Sequence, residues 1–380
     1  MDFSFTELQE MLKKSAREFL TAKCPKTYVK QMETDEKGYK PELWQEMAGL
    51  GWQGLIIPEK YGGNGTGRAQ LLDLAVLIEE MGRAAVPGPF FSSVVLAAGT
   101  LLDGGSEAQK EKYLPGIASG KSVATLAMTE KDARYEAQAV VLKATAGKDG
   151  YVLTGTKMFV PDAGSADWML VVARTGDTVN PERGITVFIV DAKSSGISYA
   201  PLAGMARDKL FEVAFHRVKV PRENVVGEVG KGWEIARRTA ERAAAMKCCD
   251  MVGVLQRVLE MTLDYAKERK QFEKPIGSFQ VIQHYLAEIA TDVDGARFSA
   301  YQAAWRLAEG KPCLREVAIA KTFAADAFER TITKSHQIFG AIGVTIDHDL
   351  HFYTTRGKAA MLSYGDSDFW REAVAQAMGL

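Results

Sequence analysis

The stretch YVLTGTKMFV, residues 151–160, decides the fold class, because it belongs to a β-rich region inside a chain that otherwise has helical patterns. Its β-branched and aromatic residues predict a strand. Three similar short runs, VATLAMT, MLVVAR and ITVFIV, lie at residues 123–129, 169–174 and 185–190. Strands at such close spacing predict a β-barrel or sandwich of roughly 100 residues.

Helical patterns lie on both sides of this β-region. From Phe3 to about Gly120, apolar residues recur at helical spacing between Gly/Pro clusters. Ser106, followed by EAQKEKYLP, predicts a capped helix that ends at Pro115. Periodic segments at about 233–268, 278–309 and 313–340, with a short helix after Asp368, predict an antiparallel bundle. The sequence therefore predicts an α+β fold: an N-terminal helical domain (1–120), a middle β-barrel or sandwich domain (121–230) and a C-terminal four-helix bundle (231–380).

The composition excludes several classes of protein. The 47 basic and 48 acidic side chains nearly balance, which argues against binding to nucleic acid or to an anionic membrane surface. The N-terminal residues contain no signal peptide, and no membrane span follows, so we expect a cytoplasmic location. The four cysteines, Cys24, Cys248, Cys249 and Cys313, form no CxxC pair and are expected to be small buried side chains. The five histidines show no metal-ligand spacing, so no metal is predicted.

Local patterns alone leave the chemistry open. There is no GxGxxG loop after a strand, no Walker A loop and no GxSxG elbow. The segment RKQF, residues 269–272, could present a guanidinium and an aromatic ring to a phosphorylated cofactor, or could be a solvated helix end. The segment QIFGAIG, residues 337–343, permits close approach of a ligand to the backbone, or merely ends a helix at a glycine.

Taken in order, however, several short segments make the chain resemble the acyl-CoA dehydrogenase family along nearly its whole length. The resemblance implies the three-part fold, FAD as cofactor, an acyl-CoA substrate and assembly into homo- or hetero-oligomers, either dimers or tetramers. It also implies electron transfer to an electron-transferring flavoprotein, in the breakdown of fatty acids or of aromatic or alicyclic acids. The matching segments are GW (51–52), PEKYGG (58–63), EEMGR (79–83), MTE (128–130), LTGTK (153–157), VPREN (220–224), YAKERKQF (265–272) and QIFG (337–340).

The same resemblance implies where FAD and the thioester bind. The flavin is expected between the β-domain and the bundle, and its adenine end beside a neighbouring subunit. In the family reaction a carboxylate removes the α-proton of the thioester, and the β-hydride passes to the flavin. A backbone N–H and a ribityl hydroxyl of FAD polarise the thioester carbonyl. The expected flavin contacts are Met128, Thr129, Phe159 and Val160; the expected contacts to the rest of FAD are Arg269, Phe272, Gln280, Gln337, Gly340, Ala341 and Ser367; and Tyr364 and Gly365 are expected at the substrate.

The chain departs from the family at the catalytic base. Where many members have Glu in a Tyr-Glu-Gly-Thr segment, this chain has Gly365, which cannot accept a proton. Other members place the Glu on the first bundle helix, where this chain has Ala243, with Glu241 as the nearest carboxylate. Asp366 is a candidate substitute base, one residue later, that would suit a branched or cyclic acyl group. The alternative is that Asp366 only caps the following helix.

Two further departures favour a different interpretation. The family's Gly-Ala-Gly-Ser-Asp segment is replaced by KDARY, residues 131–135, and a flavin-contacting Thr is replaced by Pro161, which has no N–H. Both changes are expected of a base-poor subunit whose sister chain supplies the Glu. A flavin monooxygenase-like protein and a non-catalytic family member are the remaining alternatives. We expect an FAD-dependent acyl-CoA dehydrogenase or a subunit of one.

Overall fold

The computed structural model describes residues 4–176 and 179–380, so Phe3, the expected start of the helical region, lies outside the described residues. The chain divides into two compact units. The first comprises residues 1–30, 71–86 and 244–380, and the second comprises residues 31–70 and 87–243. Within the described residues, every helix is too short or too polar to cross a lipid bilayer.

The second unit contains one connected sheet of eight strands, ordered β6-β7-β3-β2-β4-β5-β8, with β1 parallel to β4. The stretch YVLTGTKMFV, residues 151–160, lies in the long central strand β3, as predicted. Apolar side chains from alternating positions of these strands form the core, with Leu153, Phe188 and Phe215 at its centre. The strands are β1 (Ala124–Ala127), β2 (Lys143–Ala146), β3 (Gly150–Pro161), β4 (Trp168–Arg174), β5 (Ile185–Asp191), β6 (Ile197–Leu202), β7 (Leu210–Pro221) and β8 (Val225–Val226).

Helical segments of the same unit precede the sheet. They are α3 (Pro41–Gly49), a π-helical segment (Phe91–Ala98), α5 (Gly99–Gly104) and α6 (Glu107–Ala118). Ser106 begins α6 with a capping box, as its sequence predicts. The predicted end at Pro115 is wrong, since α6 continues to Ala118. A proline removes only one N–H from the helix ladder, and the N–H of Ser119 donates to the carbonyl of Pro115 to close the last turn.

The first unit is helical. The three long predicted bundle segments are present, and one further helix, α10, precedes the predicted terminal helix. A short hairpin of β9 (Lys270–Gln271) and β10 (Lys274–Pro275) connects α7 to α8. Helix α2 (Lys26–Thr34) and helix α7 each continue across the division between the units. The helices are α1 (Glu7–Lys23), α4 (Leu71–Ala84), α7 (Gly232–Glu268), α8 (Gln280–Ala308), α9 (Leu314–Phe339), α10 (Leu350–Leu362) and α11 (Ser367–Ala377).

Two glycines let α4 and α7 pack unusually close. A Cβ at Gly253 of α7 would lie 1.9 Å from the carbonyl oxygen of Glu79, and a Cβ at Gly82 of α4 would lie 2.1 Å from that of Asp250. Each helix therefore needs a residue without a side chain where it meets its neighbour's backbone. The buried Glu79 carboxylate accepts hydrogen bonds from Lys13 at 3.2 Å and Tyr301 at 2.8 Å, which compensates its desolvation.

Candidate active site

The segment after β1 is held by a buried ion pair. Lys157 is fully buried, and its Nζ donates to the Glu130 carboxylate at 2.7 Å and to the Met128 carbonyl at 2.8 Å. Burial lowers the pKa of Lys157 to about 8, although Glu130 acts in the opposite direction. Glu130 also accepts the N–H groups of Val141 and Leu142, each at 3.0 Å. The backbone at Met128 is therefore fixed by charged partners.

Thr129, which follows β1, and Phe159, in the neighbouring part of β3, have side chains that could face a cofactor. Thr129 is half-buried, and its hydroxyl donates to the Met158 carbonyl at 2.7 Å, which leaves its oxygen able to accept. Phe159 is exposed and has a positive φ of 55°. Val160 differs, because its side chain is 1% exposed and belongs to the core of the sheet. Met128 and Val160, both buried, could contact a ligand at this face mainly through their backbone.

The corner after α7 presents two side chains with few partners in their own unit. Phe272 lies in the β9–β10 hairpin and is 87% exposed, with one edge-on ring contact to Phe279 at a centroid distance of 6.1 Å. Arg269 is exposed and forms no ion pair with any of the described residues. Gln280 is exposed in the first turn of α8. The corner therefore offers a guanidinium, an aromatic ring and an amide to a ligand.

A second group of exposed residues lies where α9 ends. Gln337 is exposed in the last turn of α9, and Gly340 ends the helix with a φ of +64°. A Cβ at Gly340 would meet no atom within 4 Å. Ala341 is exposed beside it. The glycine is therefore required by its backbone conformation, and its surroundings in this unit are open to a ligand.

The segment at the expected base is a tight turn between α10 and α11. Tyr364 and Gly365 both have positive φ, at 58° and 96°. Asp366 is the N-cap of α11: its Oδ1 accepts the Phe369 N–H at 2.9 Å, and the residue is exposed. The hydroxyl of Ser367 donates to Asp326 at 3.3 Å. Capping is therefore one role of Asp366, and its Oδ2 is the oxygen left for a second role.

The two family positions for a glutamate base hold no carboxylate. A Cβ at Gly365 would lie 2.5 Å from the Phe369 ring and 2.6 Å from the Trp370 indole, so position 365 has no room for a side chain. Ala243 on α7 is fully buried. Glu241 is 7% exposed and is ion-paired with Arg237 one helical turn earlier. Neither of these two positions can therefore supply a base in this chain.

Lys321 contacts this turn, and the sequence alone did not predict it. Lys321, in α9, is fully buried, and its Nζ donates to the carbonyls of Met361 and Gly365, each at 2.8 Å. A lysine inside an alanine-rich helix resembles any other helix-surface lysine in sequence, so nothing in the local pattern predicted this contact.

Three domain models of one family match successive parts of the chain. The acyl-CoA dehydrogenase N-terminal domain matches residues 6–121, the middle domain 125–218 and the C-terminal domain 230–379. The chain belongs to the acyl-CoA dehydrogenase family. It is therefore an oxidoreductase of the class that acts on CH–CH groups, as predicted, and the α+β fold prediction is confirmed.

Relatives extend the similarity over the whole length. The structure of butyryl-CoA dehydrogenase from Megasphaera elsdenii matches with a TM-score of 0.92 and 32% identity, covering 100% of both chains. The ChsE4–ChsE5 complex from Mycobacterium tuberculosis matches with a TM-score of 0.90 and 30% identity, covering 100% of this chain and 99% of the other. The caffeyl-CoA reductase–Etf complex subunit CarC from Acetobacterium woodii is 34% identical over 345 residues, 89% of each chain.

Members of the acyl-CoA dehydrogenase family are FAD-dependent flavoproteins, and this chain retains residues that fit FAD. The guanidinium of Arg269 can bind a pyrophosphate, the ring of Phe272 can cover an adenine, and the open backbone at Gly340 admits a close contact. Bound FAD supplies a two-electron acceptor for a hydride. Pro161 lacks the N–H and the hydroxyl that a threonine would offer at its position.

Proposed function

We propose that this acyl-CoA dehydrogenase family member desaturates an acyl-CoA thioester between Cα and Cβ. The α-hydrogen leaves as a proton to a carboxylate, and the β-hydrogen leaves as a hydride with its electron pair, for which bound FAD would supply the acceptor. The thioester thereby loses two electrons and two hydrogens. An electron-transferring flavoprotein then takes the two electrons, a partner supported by the Etf-linked relative. The observation that carries the proposal is the succession of three family matches, at residues 6–121, 125–218 and 230–379, the last of which includes the candidate-base turn at residues 364–367.

In this proposal Asp366 is the base. Its Oδ1 accepts the Phe369 N–H in the first turn of α11, and Oδ2 accepts the α-proton. The side chain is one methylene shorter than glutamate and begins one residue later. The reacting carbons must therefore sit differently from those of a straight chain, which supports a branched or cyclic acyl group. Tyr364 and Gly365 are the substrate-binding residues of the same turn.

A second candidate function is that of a base-poor subunit. The exposure of Asp366 and its existing capping bond favour it, as does the absence of space for a side chain at Gly365. The relative solved as a complex of two differently named chains also supports it. In this case a sister subunit supplies the glutamate, and the present chain contributes cofactor and interface residues.

An anaerobic screen separates the two candidates. The purified protein, loaded with FAD, is mixed with butyryl-, isobutyryl- and cyclohexanecarboxyl-CoA, and flavin bleaching is followed by absorbance. If Asp366 is the base, one thioester bleaches the wild type, and Asp366→Asn slows bleaching roughly 100- to 10,000-fold. Asparagine caps helices as well as aspartate does, so Asp366→Asn should keep the melting temperature and the bound FAD.

A second variant serves as a control, and each of the remaining outcomes of the screen has one explanation. Asp366→Ala loses the cap as well as the carboxylate, which costs about 1 kcal/mol of stability, and should bleach as slowly as Asp366→Asn. Bleaching of Asp366→Asn at the wild-type rate would exclude Asp366 as the base. Bleaching of the wild type only after a sister chain is added would establish the base-poor subunit instead.

A further inference from the structure

The buried ammonium of Lys321 has no carboxylate partner among the described residues, although a buried charge is usually paired with an opposite one. No carboxylate among residues 4–176 and 179–380 lies within ion-pair distance of Lys321 Nζ, which donates only to backbone carbonyls. Burial lowers the pKa of Lys321 to about 8. The titratable groups facing it are Lys247 and Cys248 on α7 and Asp366 at the start of α11. An apolar side chain of similar length would fill the same space without burying a charge.

Of the two carbonyls that Lys321 binds, one lies just before the candidate-base turn and the other lies within it. Met361 lies in the last turn of α10, where helix carbonyls lack intrahelical partners and favour a cation. Gly365 immediately precedes the N-cap Asp366. On the opposite side, Trp370 Nε1 donates to the Tyr364 carbonyl at 3.0 Å. Two successive carbonyls of the turn are therefore held from two different helices.

This turn needs external support because its backbone is strained. Tyr364, a residue with a side chain, has a positive φ, which is costly for a bulky aromatic residue. Gly365 is buried, so its carbonyl would lose its hydrogen bond without gaining water if the ammonium were removed. The turn would then relax to another backbone conformation, and the Asp366 carboxylate would move with it.

We propose that Lys321 is a positioning residue of the active site, which fixes the Tyr364–Asp366 turn through the Gly365 carbonyl. Lys321 does not touch the thioester or FAD. It sets the direction in which the turn presents Asp366 and the backbone of Gly365. The inference rests on the proposed dehydrogenase function for its catalytic consequence, whereas its structural part, the fixing of the turn, can be measured without turnover.

The test compares Lys321→Met with Lys358→Met in the full-length, FAD-loaded protein. Methionine keeps the length of Lys321 and removes its donors. Lys358 is the matched control, since it forms an ion pair with Glu329 that joins α10 to α9, is 41% exposed and takes no part in the turn. The first readout is amide hydrogen exchange of the peptide covering residues 361–372. The second is anaerobic flavin reduction by butyryl-CoA, isobutyryl-CoA and cyclohexanecarboxyl-CoA.

We expect Lys321→Met to exchange roughly tenfold faster in residues 361–372, while exchange elsewhere, FAD content and the Lys358→Met variant stay near the wild type. The flavin-reduction rate constant should fall roughly 10- to 100-fold with a much smaller change in the half-saturating thioester concentration. Lys321→Gln, which keeps an NH2 donor group, should recover part of both losses.

Unchanged exchange in residues 361–372 of Lys321→Met would overturn the proposal. So would a uniform rise in exchange over the whole bundle, or failure of both Lys321→Met and Lys321→Gln to fold, because Lys321 would then serve stability alone. If no thioester reduces the wild-type flavin, the proposed function fails, and the exchange experiment still decides whether Lys321 fixes the turn.

Discussion

Truncation of the Phe272 side chain should lower the affinity for FAD without lowering the stability of the FAD-free protein. The ring is 87% exposed, so it contributes little to the stability of the fold. Phe272→Ala should also leave the backbone strain at the positive φ of 50° unchanged, because both residues carry a Cβ. Covering a phenylalanine side chain completely contributes about 1.5 to 3 kcal/mol, nearly all of which is still available for binding a ligand. If the adenine end of FAD covers this ring, the dissociation constant should rise roughly 10- to 150-fold.

The assay is a titration of the FAD-free protein with FAD, followed by flavin fluorescence, together with thermal unfolding of the FAD-free protein. Phe272→Tyr should bind FAD nearly as the wild type does, because it keeps the ring. Leu8→Ala removes another exposed apolar side chain of the same unit, 77% exposed on α1, and should change neither measurement. An unchanged FAD affinity in Phe272→Ala would refute the assignment of this ring to the cofactor.

Two further predictions concern stability. Gly253→Ala gains at most about 1 kcal/mol of helix propensity but places a Cβ 1.9 Å from the Glu79 carbonyl oxygen, so we expect a net loss of about 2 kcal/mol or more in chemical denaturation. Gly49→Ala, with no atom within 4 Å of its Cβ, should instead be neutral or stabilising, and equal effects of the two substitutions would contradict the close helix crossing. For Lys321, burial lowers the pKa from 10.5 to about 8, so between these pH values the unfolded chain keeps a proton that the folded chain has lost. The free energy of unfolding should therefore rise with pH in this window by up to about 1.4 kcal/mol per unit relative to Lys321→Met, and parallel pH profiles would contradict the burial of this ammonium.

The architecture was predictable because each part carries its own periodicity. Apolar residues at helical spacing marked the bundle helices, and short β-branched runs marked β1, β3, β4 and β5. The expectation that the cysteines are buried is confirmed at all four positions. The two errors have local causes. Pro115 lies in the last turn of α6, and the loss of one hydrogen bond there does not end the helix. Helix α10 follows an irregular segment of mostly polar residues, so no apolar periodicity marks where it begins.

The site was predictable only where a residue's chemistry is visible in sequence. Arg269 and Phe272 stood out as a charged and aromatic pair after a helix, and the structure places both at an exposed corner. Lys157 and Glu130 lay within matching family segments, yet their fully buried ion pair depends on a contact between the β1 end and β3 that no local pattern encodes. For Val160 the flavin contact stays a prediction that concerns its backbone, because alternation within β3 turns its side chain into the core.

The replacement of the family's glutamate by Gly365 involves more than one side chain, because the conformation of the surrounding turn requires a glycine. A positive φ of 96° at residue 365, and rings of Phe369 and Trp370 within 2.6 Å of any Cβ, mean that a glutamate there would require a different turn. Sequence alone shows the substitution of one residue, whereas the structure shows that Gly365, Trp370 and Lys321 form one arrangement. An arrangement held by a buried charge and an indole N–H is costly to form. We therefore expect it to position a functional group and not to be a turn without function. The nearest group that it positions is the carboxylate of Asp366.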